Sequence, residues 1–275
     1  MTIGAQWRAM QREAQLAAEQ AAHGITLIGR ANHAQTGLYI QAFFALSIGL
    51  ERMGKLIVLA DYANRHNGAF ATDKDLRKIG HDLGPLLNKR EDIAASLNQD
   101  RDHSLRPNNL IHQGIIDVIS LFATKLRYYN LNHISGSAQG QHDPVALWWE
   151  KVAIPICDLH YTERQRKKDI EEATIMENLL GESLVVLHST ETGDSINSIE
   201  RLFTQAKATK VVQKYGRLYT MQIIRWLASM LFELSHRGAY ELRIQAILGL
   251  HEPFTIFFND DSYLLGRKTW SIYPR

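Results

Sequence analysis

The chain reads as all-α, and three observations predict it. Apolar residues recur at steps of three and four along most of its length. No segment alternates apolar and polar residues at the period of a half-buried strand, and there is no βαβ rhythm. Capping residues stand just ahead of the periodic runs: Thr72, Asn108 or Asn109, and Asp143 with Pro144 behind it.

Taken in order, residues 6–22 place Trp7, Met10, Ala14, Ala17 and Ala21 on one stripe, an amphipathic helix punctuated by Gly24. A longer helix carries Tyr39, Ala42, Phe43, Leu46, Leu50, Met53, Ile57 and Ala60. On it, Glu51 and Lys55 stand four apart in the favourable order for an ion pair. The polar turn at 64–68 ends it. Thr72, with Asp75 three residues on, opens a short helix lined by Leu76, Ile79, Leu83, Leu86 and Leu87 and made irregular by Gly80, Gly84 and Pro85. Residues 98–109 are a polar loop. Asn108 or Asn109 then caps the best helical pattern in the chain: Ile111, Ile115, Val118, Ile119, Phe122, Leu126 and Tyr129. Asp143 and Pro144 open the next helix, which Trp148 and Trp149 anchor as core residues rather than as a base-stacking platform. The charged run Arg164, Arg166, Lys167 and Lys168 is a solvated helix face. It marks a boundary between a helical domain over 1–160 and a C-terminal helical region over 161–275 that packs on it or extends it. Residues 174–187 are apolar enough to pack. Residues 191–194 form a loop, and Asp194 or Ser195 caps another helix. Val212, Tyr215, Tyr219, Ile223, Trp226, Met230 and Leu234 mark a long buried helix to about residue 235. After Pro253 the pattern favours helix over strand.

Composition narrows the function classes. With 275 residues there is room for one large domain or two small ones. Hydrophobic content of 45% against 22% charged residues is that of a soluble globular protein. The net charge of +2 permits nucleic-acid binding without arguing for it, so any affinity must come from a local patch. One cysteine, Cys157, rules out a disulfide within the chain and suits a reducing cytoplasm. No signal-peptide pattern and no apolar run of about 18 residues is present, so no membrane span is expected. The twelve histidines are scattered, with no HExxH. Walker A, GxGxxG and GxSxG patterns are absent too. No metal or cofactor is expected.

The candidate chemistry lies in Arg127-Tyr-Tyr-Asn-Leu-Asn-His133, at the far end of the best helical pattern. In a continuous helix, Arg127, Asn130 and His133 form a slowly drifting stripe, with Arg127 and His133 roughly 9 Å apart along the axis. A guanidinium that grips phosphate and an imidazole that titrates near neutrality are what metal-free RNA cleavage needs. The same residues at a helix end also complement its dipole. Spacing alone decides nothing, because such an Arg-to-His interval arises about two or three times by chance in this composition. A second instance is present, Arg106 to His112, but Arg106 precedes Pro107 in a loop. His81-Asp82 has the look of a base with its orienting acid. With no nucleophile beside them, the capping or solvated reading is the stronger.

Ala45-Leu-Ser-Ile-Gly-Leu-Glu-Arg-Met-Gly-Lys55, followed by Lys78-Ile-Gly-His-Asp-Leu83, resembles the first helices of HEPN-superfamily proteins. There, an alanine-rich helix with an IGxE element precedes a short helix with a GHDL-like element, and a later helix ends in Arg, a spacer and His. The resemblance covers about residues 25–135. It implies an up-down helical bundle, here with additional C-terminal helices, and frequent dimerisation. It also implies, in many members, metal-independent RNase activity in prokaryotic toxin, CRISPR-associated or anti-phage defence systems. Other members are non-catalytic binding or partner modules for nucleotide, RNA or protein. Carried over, Arg127 would bind the scissile phosphate and His133 would take the proton of a ribose 2′-hydroxyl. Asn130 would orient one of them, and Tyr128, Asn132, Glu51, His81 and Asp82 would lie in support. Two copies of the segment across a two-fold axis would make a composite cleft. Family RNases commonly carry a polar residue directly after the Arg, where this chain has Tyr128.

Overall fold

Small residues set the first contact. α1 (Ala5–Ile28) and α2 (Gly37–Arg65) run antiparallel, with Ala14, Ala17, Ala18, Ala21 and Ala22 buried between them. A Cβ built on Gly49 would stand 2.8 Å from the Ala21 nitrogen, and one on Gly24 would stand 2.6 Å from Leu46 Cγ. Gly24 therefore does not end α1, as its sequence position suggests. It lies inside the helix, where close packing on Leu46 outweighs a helix penalty of about 1 kcal/mol.

The computed structural model describes residues 4–97, 105–137, 140 and 142–272, without the side chains of Asp73 and Leu76. The Leu76 contact and the stretch 98–104 of the polar loop lie outside the described residues.

The single helix expected across residues 72–87 is two. α3 (Asp73–Ile79) stops at Gly80, whose φ of 72° is costly for any residue with a Cβ, and α4 (Leu83–Ser96) starts afresh under the Asp82 cap. Leu86 of α4 packs on Gly54 of α2. α5 (Leu110–Leu121) is capped by Asn109 and widens into a π-turn (Phe122–Leu126), after which comes the short α6 (Tyr129–Ile134). α7 (Pro144–Trp148) and α8 (Ile154–His160) are joined by a second π-turn (Trp149–Ala153), whose Lys151 carbonyl faces Gly114 of α5. Trp148 is fully buried, so it is a core anchor.

α9 (Glu163–Leu180) packs against α10 (Ile199–His236). At 38 residues, α10 is about 57 Å long. Between the two, residues 191–194 are not a plain loop but the tip of a hairpin: β1 (His188–Ser189) pairs antiparallel with β2 (Ser195–Ile196). The α10 cap is Ser198, whose hydroxyl accepts from the Arg201 N–H. Asp194 is spent inside the hairpin, where its carboxylate accepts from Thr192. Residues 174–187 also depart from expectation: Ile175, Leu179, Leu184, Val185 and Leu187 are exposed. After Pro253 the chain forms a 3-10 helix (Glu252–Phe257), and α11 (Asp261–Gly266) comes next.

Tyr39, Phe43, Leu46, Leu50, Ile115, Ile119, Phe122 and Leu126 share one core, as their periodicity predicts. That core extends from Met10 to Trp270 and so draws on both sides of residue 160. The C-terminal segment docks on α1. The Leu248 carbonyl accepts from Trp7 and Gln11, the Trp270 N–H donates to the Thr26 hydroxyl, and Arg30 donates to Thr269. The fold is all-α apart from the two-residue strands. Among the described residues no helix is long and apolar enough to cross a membrane.

Candidate functional site

The segment around Arg127 is shaped by the π-turn before it. Phe122 and Leu126 are both buried, which holds that turn against the core, and Arg127 emerges directly behind it. The helix then breaks. Tyr128 has φ −114° and ψ 22°, and α6 restarts at Tyr129. The continuous stripe expected for Arg127, Asn130 and His133 is therefore not formed. Arg127 belongs to the end of α5, while Asn130 and His133 belong to α6, a six-residue helix with no buried residue. A π-turn adds a residue to its loop and rotates the helix beyond it, a change that spacing counts cannot see.

Arg127 is exposed, and its guanidinium lies 5.4 Å from the centre of the Phe44 ring of α2. It has no carboxylate partner among the described residues. The His133 ring is exposed and stacks on Tyr129 at 5.9 Å. Tyr128 and Asn130 are exposed as well. The Asn132 carbonyl accepts from Ser135 and Ser137, closing the turn after α6.

A second group stands on the same face of α2. Seven residues separate Phe44 from Glu51, about 10 Å along the axis and within about 20° of the same direction. Nδ1 of His81 lies 3.0 Å from both Glu51 oxygens, and Lys55 Nζ donates to Glu51 at 2.6 Å. Burial alone would raise the Glu51 carboxyl. The hydrogen bonds from Lys55 and His81 outweigh it and hold the group below the usual carboxylate range. A carboxylate at Nδ1 fixes the imidazole tautomer and leaves Nε2 directed away from it. The acid serving His81 is thus Glu51, thirty residues earlier, and not the adjacent Asp82. Asp82 accepts from the Gly84 N–H as the α4 cap and from the Ser120 hydroxyl of α5. Ser120 lies seven residues ahead of Arg127. The Ile48–Glu51 element, the Gly80–Leu83 element and Arg127 therefore gather along one side of the α2–α5 pair. Phe44 and Ser120 have no place in the sequence-based site. Phe44 stands seven residues, two helical turns, before Glu51, and that spacing is the signal that could have found it.

The Arg106–His112 pair resolves into two structural roles. Arg106 pairs with Glu91 and Asn88. His112 is buried in the first turn of α5; its Nδ1 accepts from the Asn109 N–H, and its Nε2 donates to Gln222 at 2.7 Å. Both bonds require a neutral ring, and burial accordingly lowers its pKa. Burial lowers His160 and His251 in the same way. The unfolded chain takes up protons near pH 6.5 that these folded rings refuse. Their contribution to stability is therefore complete above that pH and is lost as the pH falls below it. The urea midpoint is expected to be lower at pH 5.5 than at pH 7.5; a level midpoint would contradict the neutral, buried rings.

Among the described residues no three of His, Cys, Asp and Glu are grouped to hold a metal ion. A cleft of about 400 Å³ opens at the other end of α5, lined by Asn109, Leu110, Ile111, Pro155, Asp158 and Leu159. Comparison with known proteins returns no matching family model, no matching curated protein and no matching solved structure.

Proposed function

We propose that this chain is a metal-independent endoribonuclease of HEPN-like type, belonging to a prokaryotic toxin or anti-phage defence system. One observation carries the reading. The Arg127 guanidinium is exposed, has no carboxylate among the described residues to neutralise it, and is steadied over Phe44 on the face that also carries the Glu51–His81 pair. A cation left unneutralised on a packed aromatic is prepared for an anion. In this mechanism Arg127 contacts two non-bridging phosphate oxygens and stabilises the charge that builds on them. His133 accepts the 2′-hydroxyl proton, the oxygen attacks phosphorus, and the 5′-oxygen leaves with a proton from the matching imidazole of a second copy. Asn130 orients the phosphate or the ring. The products are a 2′,3′-cyclic phosphate and a 5′-hydroxyl. The protein acts in the cytoplasm, on RNA, alone or with a protein partner of the same system.

A specific observation favours a second reading, a non-catalytic module that binds RNA, nucleotide or protein. Stacking on Tyr129 leaves His133 without the carboxylate that orients His81. The test that separates the two is RNA cleavage in chelator, with the ends of the products identified. Cyclic-phosphate ends unaffected by chelator support the enzyme, and intact RNA with retained binding supports the module. In either case affinity falls with salt, with a slope of about −0.7 for each single-strand phosphate contacted. A titration that is flat from low to physiological salt excludes a phosphate-led mode.

A further inference from the structure

We propose that residues 184–189 form a strand-pairing surface and that its partner is the same segment of a second copy of this chain, antiparallel about a two-fold axis. The inference stands apart from the ribonuclease reading and rests on four observations.

The first is exposure. Val185 and Leu187 are 86% and 84% exposed, and Leu184 is 54% exposed, in a run with no proline and no acid or lysine. On α9, Ile175 and Leu179 extend the apolar surface at 58% and 69%. The second is the backbone. Among the described residues no hydrogen bond reaches the main chain of Val185, Val186 or Leu187, and β1 has only β2 on one side, which leaves its outer edge open. Open edges are ordinarily blunted by lysine, proline or a bulge, and none of these guards this one. The third is composition. Leu-Val-Val-Leu has the branched apolar side chains that suit a pleated surface.

The fourth observation selects the partner. Antiparallel self-pairing centred between Val185 and Val186 sets Val185 opposite Val186 and Leu184 opposite Leu187. It also sets Ser183 opposite His188 and Glu182 opposite Ser189. Apolar meets apolar, and Glu182 never faces its own copy. A two-fold contact of this kind covers both open edges at once and closes, so it does not propagate into a fibre. Six residues a side bury too little for a stable dimer by themselves; Ile175 and Leu179, doubled by the axis, supply the remainder.

The test is sedimentation across a concentration series. Wild type is expected to form a dimer. The double variant Val185→Lys with Leu187→Lys is expected to be monomeric, with unchanged helix signal and melting temperature, because both side chains already face solvent. Register is tested separately with Leu184→Cys and Leu187→Cys. Oxidising a mixture of the two is expected to give the mixed disulfide-linked dimer in excess over either self-linked one. A wild type that stays monomeric overturns the proposal, including the case where it captures a different protein instead. A dimer that survives the lysine pair, or cysteines that show no preference for the mixed link, overturns it equally.

Discussion

Arg127→Ala is expected to reduce RNA cleavage by about 10²–10³-fold, the usual effect of removing a group that stabilises developing charge. The fold should be unaffected. Arg127 is exposed, and its contact with Phe44 is a cation–π interaction of about 1 kcal/mol at such a site. Arg127→Lys should restore only part of the rate, since ammonium keeps the charge but loses the planar fork. His133→Ala should cost about 10²–10⁴-fold, the range for a general acid or base. The control is Arg106→Ala, whose surface ion pair with Glu91 contributes little. His112→Ala is not its equal: the ring is buried, and its loss would strip the α5 cap and leave Gln222 without its imidazole partner. If Arg106→Ala abolishes cleavage and Arg127→Ala does not, the site lies elsewhere than the Arg127 segment. If both are silent in folded protein, the binding module is the correct reading.

Phe122→Ala is expected to be the most destabilising single change near this face, at about 3–5 kcal/mol. The ring is fully buried, edge-on to Phe43 at 5.6 Å and to Phe44 at 4.9 Å. Its removal opens a cavity where α2 meets the π-turn, and the melting temperature should fall by roughly 5–10 °C. Arg127 stands five residues later and rests on Phe44, so activity should fall even at temperatures where the variant is folded. Urea and thermal unfolding give the stability, and cleavage well below the midpoint gives the rest. A loss below about 1 kcal/mol would mean that the π-turn is not held by this packing.

The helices are legible in the sequence because apolar periodicity reports the core directly. Tyr39 through Leu50 and Ile115 through Leu126 lie where period 3.6 puts them. Breaks are harder to read. Gly24 has the look of a stop and is a packing contact, whereas Gly80 has the look of a blemish and is a stop. The same residue type serves both purposes, and only its neighbour, Leu46 in one case and open space in the other, decides between them. At the site, the residue types at 127 and 133 are visible in the sequence, but their relation is not. A π-turn and a non-helical Tyr128 carry no apolar signature. The Glu51–His81 contact depends on how α2 meets the start of α4, which is a matter of tertiary packing. The exposed run at 184–187 defeats the sequence for a related reason: apolar content signals a need to be covered, and says nothing about which surface covers it.

The docking of the C-terminal segment on α1 has a consequence for synthesis. α1 and α2 are neighbours in sequence and can pair as soon as both have left the ribosome, because closing a short connection is fast. The flank of α1 that meets Leu248, Thr269 and Trp270 has no partner at that stage, since Thr26 and Trp270 are 244 residues apart. At about 5–20 residues per second, that flank waits on the order of ten seconds or more for its cover. During that interval the nascent chain presents Trp7, Thr26 and the apolar stripe beside them to solvent and to chaperones. Assembly of the core is thus completed from the tail backward onto the first helix, and a chain stalled before residue 248 would emerge with its founding hairpin made and one side of it bare.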